Sequence, residues 1–125
     1  MFPKAFDRSF SVWRYEVGHG QLLLRSPKAD QLPTRVDVGF KNVGYIQLPM
    51  LMDTLAIRVG SLDDLPEDVR KVLDLQHQEV YVLNAGGVKG LVVAGYGAWR
   101  EDDGEYNDLS LVLPSMLGGL GHRDG

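Results

Sequence analysis

Three histidines, one run of carboxylates and a scattered set of aromatic side chains are the residues of this 125-residue chain that could do chemistry. His19 lies between two glycines in "VWRYEVGHGQLLLR", His77 lies in "DLQHQEV", and His122 lies near the C-terminus. None forms an HxH or HxxxH pair, so no short segment presents two imidazoles to one metal ion. A catalytic base needs a partner and a pocket. At the tip of a tight turn His19 would have neither, since no sequence neighbour is positioned to orient its ring, and it reads as a turn residue.

The carboxylates gather in "REDDGEYND", with Glu101, Asp102, Asp103, Glu105 and Asp108 around Gly104. Calcium takes about six to eight oxygen ligands from a chain able to wrap it. The spacing here, however, lacks the DxDxDG order with its closing glutamate. The run therefore reads as a charged connection that can face a partner. If the protein were a hydrolase, Asp102, Asp103, Glu105 and His77 would be its general acids and bases. There is no cysteine, no GxSxG elbow and no nucleophile matched to a base. "NAGGVKG" lacks the phosphate-loop order and leads into a strand instead of a helix. No catalytic residue, metal ligand or cofactor is assigned.

The glycines of "GYGAW" are more suggestive. Gly95 and Gly97, with Gly90 nearby, mark a bend or a close approach by another backbone or a ligand. Were a pocket present, Tyr96 and Trp99 would wall it, joined by Trp13 and Tyr15 from the first hairpin. The competing reading places all four in the core.

The elements that must position these residues follow mainly a period of two. "SFSVWRYEV" and "GQLLLRS" pair through a two-residue Gly18-His19 loop, setting Tyr15 against Leu22, Trp13 against Leu24 and Val12 against Arg25. "TRVDVGFKN" alternates, with Val36, Val38 and Phe40 on one face and Arg35, Asp37 and Lys41 on the other. "VGYIQL" and "DTLAIRV" are two further strands around "PMLMD". "DDLPEDVRKVLD" is a helix capped by Asp64, with Leu65, Val69, Val72 and Leu73 buried. "EVYVLN" and "GVKGLVVAGYGAW" form a second hairpin through "AGG", and "YNDLSLVL" is a last strand with Leu109, Leu111 and Leu113 together.

These elements predict a mainly β, single-domain antiparallel sandwich or partly closed barrel of about eight strands with one short helix. An α+β roll is the alternative. The domain spans residues 1–125, with 114–125 a glycine-rich tail expected to fray. Hydrophobic residues make up 44% and charged residues 24%, an ordinary globular balance. The net charge of −4 argues against nucleic acid. No apolar stretch suits a signal segment or reaches the roughly 18 residues of a membrane span, so a cytoplasmic protein is expected. Charge is divided along the chain: residues 1–60 carry 8 basic and 5 acidic side chains, and residues 61–125 carry 5 and 12. Either the two halves attract each other, or an acidic face awaits a basic partner.

The reading these features support is a non-catalytic protein-interaction domain that self-associates as a homodimer or binds another protein. Its surface would comprise Leu48, Met50, Leu51 and Met52, an adaptable apolar patch, with Glu101, Asp102, Asp103 and Glu105. The alternative is a small-molecule-binding β-barrel around Trp13, Tyr15, Tyr96 and Trp99, and an enzyme using the acidic loop is third.

Overall fold

A computed structural model describes residues 1–113, so the expected tail at 114–125 lies outside the described residues. In chain order the elements are β1 (Lys4–Phe6), β2 (Phe10–Glu16), β3 (Gln21–Ser26), β4 (Arg35–Gln47), β5 (Leu51–Met52), β6 (Leu55–Val59), α1 (Glu67–Val72), β7 (Glu79–Ala85) and β8 (Val88–Asp102). The strands form one antiparallel sheet of eight, ordered β1-β6-β7-β8-β4-β3-β2-β5.

The two ends of that order are neighbours along the chain. Lys4 and Phe6 of β1 lie opposite Ile57 and Leu55 of β6, and Phe10 and Ser11 of β2 lie opposite Met52 and Leu51 of β5. One pair of chain segments thus runs antiparallel on both sides of an interruption, which curls the sheet without closing it by a continuous ladder. The expected mainly β fold of eight antiparallel strands with one short helix is present, as a single sheet that is not closed.

Alternation decides which side chains enter. Val36, Val38 and Phe40 of β4 join Phe6, Phe10, Leu22, Leu24, Met52, Leu55, Ile57, Tyr81, Leu83 and Val92 on the concave side. Burial of such side chains contributes about 1.5–3 kcal/mol each before the entropy of ordering them is subtracted. Gly97 leaves room there, since a Cβ on it would come within 3.0 Å of both Phe40 and Tyr81. A Cβ on Gly90 would strike Leu48. The glycines of "GYGAW" and its approach therefore accommodate this chain's own side chains.

Several expectations are corrected. The first hairpin turns through a 3-10 segment, Val17–His19, closed by Gly20 in the left-handed region. Tyr15 does face Leu22, but a bulge between Val12 and Arg14 sets Val12, not Trp13, against Leu24. Trp13 is thereby turned to the outer face, where it packs with Leu23 and Leu113. "VGYIQL" is not a separate strand but continues β4, in which Asn42 adopts φ 53° and the register against β8 shifts between Val43 and Tyr45.

Asp64 does not cap α1. It closes a capping box with Ser61 on the preceding 3-10 turn, and Pro66 begins the helix. Leu65, Val69 and Leu73 cover Val80, Val82, Leu91 and Val93 on the outer face of β7 and β8, whereas Val72 is exposed. Residues 106–113 form turns and bends instead of a last strand. Both edges of β4 are already taken, by β3 and β8, so no partner remains there for a ladder. Leu113 alone of the three alternating leucines is buried, while Leu109 and Leu111 are exposed.

Candidate binding groove

Three regions of the outer face of the sheet are distinguished by what lies over them: a strap, a helix, and an open groove. Across β3, β4 and β8 the segment 103–113 lies as a strap. Beneath it are two buried arginines, Arg25 at 0% and Arg35 at 1% exposure. Arg25 grips Asp37 through both ends of its fork, at 2.7 and 3.0 Å, and donates to the Tyr106 carbonyl at 3.0 Å. Arg35 grips Asp102 in the same way at 2.9 and 3.1 Å. Its remaining donors reach the carbonyls of Glu105, Asp108 and Leu109. Planar five-donor guanidinium suits this task, and lysine would not.

Burial pushes the Asp102 carboxyl up, but hydrogen bonds from Arg35 and from the Gly104 N–H outweigh it, leaving the group below its ordinary range. Burial likewise acts to lower Arg35, and is outweighed by its hydrogen bond with Asp102 and the charge of Asp37. Glu105 pairs with Lys28 at 2.8 Å, and Glu101 accepts from the Thr34 hydroxyl. The acidic run thus engages cationic and polar groups of the N-terminal half, and Asp103 stays exposed. Much of the charge division is met inside the molecule. Among the described residues no three histidine, aspartate or glutamate side chains are placed to share a metal ion.

The four aromatics are not brought to one cavity. Trp13 stacks edge-on against Tyr106 under the strap, and Trp99 meets Phe6 at the core with Lys4 above its ring at 4.6 Å. Tyr15 and Tyr96 are exposed. The apolar patch also splits: Met52 is buried and Leu48 packs on the core, while Met50 and Leu51 are 65% and 77% exposed. His19 ends its hairpin, yet Glu16 does orient its ring, with Oε1 2.9 Å from Nδ1. His77 sits beside Gly95. Asp102 lies seven positions beyond Gly95 along β8, about 23 Å of strand, so His77 and the acidic loop do not meet.

Over β7 and β8 the outer face is covered by α1. Over β1, β6 and the adjoining part of β7 it is open, and there lies a groove of about 670 Å³. Its floor is a row in register: Ala5 opposite Ala56, Ala56 opposite Asn84, and Asn84 opposite Lys89. Small side chains at successive strands make the trough, and Val82 and Arg58 stand in the next row. A second hollow of about 410 Å³ continues it past Asp7 and Thr54, sharing Ala5, Ala56, Asn84 and Gly87.

The 3-10 turn before α1 sets the cationic rim. Asp64 Oδ1 lies 3.1 Å from Arg58 Nη2 and 3.8 Å from Lys89 Nζ. The Arg58 hydrogen bond, then that from the Ser61 N–H, holds the Asp64 carboxyl below its usual value. Nothing local in the sequence marks the residues of the groove. Ala5, Ala56 and Asn84 are far apart in the chain, and only strand register aligns them; the available signal was a small residue at an outward position in each of three strands.

Fold and groove together define an all-β domain of one curled antiparallel sheet with an open trough on its convex side. Compared with known protein families, curated protein sequences and solved structures, the chain matches none of them.

Proposed function

We propose that this is a non-catalytic binding domain whose ligand lies in the groove across β1, β6 and β7. The observation that carries this is the uneven covering of the convex face: strap and helix cover two regions with buried side chains, and the third is left as a concavity of about 670 Å³. That volume falls within the roughly 300–1,000 Å³ of small-molecule sites. The reading moves the ligand from the inner side of the sheet, which apolar side chains occupy, to its outer side. Native mass spectrometry and thermal shift against a library of small organic acids, alcohols and amines test it. Hits that raise the melting temperature and are lost in Ala5→Trp, which fills the exposed end of the trough, support it. Hits unaffected by that variant refute it.

Protein contact is the second reading, favoured by Met50 and Leu51 exposed beside each other at the outermost strand, β5. Light scattering of the wild type and of Leu51→Lys separates the two. A dimer abolished by that change favours self-association at this edge.

A further inference from the structure

We infer that the groove selects small amphipathic carboxylates, an assignment that rests on the binding reading above. Lys4, Arg58 and Lys89 are among the residues lining the main groove, and none of its lining residues is acidic. This is notable in a chain of net charge −4. The Lys4 ammonium is engaged over Trp99, which leaves Arg58 and Lys89 as the recognition pair. Both approach one carboxylate, Asp64, whose Oδ2 also accepts from the Ser61 N–H at 3.0 Å. Two cations against one carboxylate leave the Arg58, Lys89 and Asp64 cluster with a net single positive charge.

A monoanion matches that charge better than a dianionic phosphate ester. Arg58 and Lys89 both remain more than half exposed, so a ligand carboxylate can reach them without displacing Asp64. Ala5 and Ala56 supply an apolar floor for the rest of the molecule. The second hollow extends the trough along the same small residues and past Asp7 and Thr54, which gives room for a short chain.

The test is nitrogen-15 NMR titration of the intact protein with butanoate through decanoate, with the corresponding alcohols, and with alkyl phosphates. Saturable shifts at Ala56, Arg58, Asn84 and Lys89 for the carboxylates are expected. Binding should weaken about tenfold in Arg58→Gln and in Lys89→Gln, the loss of one charge-assisted hydrogen bond each. Both side chains are exposed, so the variants keep the fold. Alcohols binding as tightly as carboxylates would overturn the anion assignment while leaving the groove as a site. Preference for the phosphates would overturn the monoanion choice. No shift at the groove with any carboxylate would overturn the inference, whereas library hits of other chemistry at the same residues would still uphold the binding reading.

Discussion

Arginine does here what a strand ladder does elsewhere. Arg8 donates to the carbonyls of Ser26, Pro27 and Thr34, and Arg25 and Arg35 together take four carbonyls of the strap. Segments without a pairing partner are thus satisfied by side-chain donors. Breaking such a buried pair leaves an uncompensated charge, so Arg35→Leu should cost about 3–5 kcal/mol in urea unfolding. Lys28→Ala removes only a surface pair and should leave the urea midpoint unchanged. Asp102 gives a pH signature. Its carboxyl titrates lower folded than unfolded, so its contribution is full above the ordinary aspartate value near 3.9 and lost as pH falls through the lower folded value. Asp102→Asn should be less stable at neutral pH and should lose that part of the acid transition, read from urea midpoints against pH. In sequence, Arg35 and Asp37 alternate with valines and fall on the face opposite them; the carbonyls that take the Arg35 donors lie about seventy positions away, beyond any local pattern.

At the scale of elements, the strap sits in a recess of the sheet, and the helix rests on the valines and leucine of β7 and β8. A Cβ on Gly39 would fall 2.6 Å from the Leu113 side chain, and one on Gly104 would fall 2.4 Å from the Arg35 guanidinium carbon. Gly39→Val should therefore lift the strap while leaving β4 paired, seen as faster amide exchange at the strap residues with the sheet's protection retained. Leu65→Ala, under the helix, should cost about 2–4 kcal/mol. The strands with strict alternation, above all Val36, Val38 and Phe40, were legible because period two needs no knowledge of partners. Leu109, Leu111 and Leu113 alternate equally well, yet form no strand, because alternation cannot say whether an edge is free. The bulge at Trp13 escaped for a related reason: the pull on its ring comes from Tyr106 and Leu113, distant in sequence.

On the scale of the whole molecule, the pairing that shapes the curled sheet is non-local. Residues 4–11 meet 51–57, and β4 meets β8 across as many as 67 positions, from Arg35 to Asp102. Topology of this kind folds in milliseconds to seconds. Stopped-flow refolding should fall in that window, and Phe10→Ala, at the interrupted ladder, should also lower stability by about 3–5 kcal/mol. The groove belongs to this same scale, since its floor exists only once β1 has joined β6.

The two tryptophans occupy separate structural territories: Trp13 beneath the strap against Tyr106, and Trp99 against Phe6 of β1 with its indole N–H donating to the Met1 carbonyl. The protein therefore carries two intrinsic optical probes. With Trp13→Phe and Trp99→Phe variants, one emission reports departure of the strap and the other the parting of β1, so the order in which the molecule comes apart can be watched without any label.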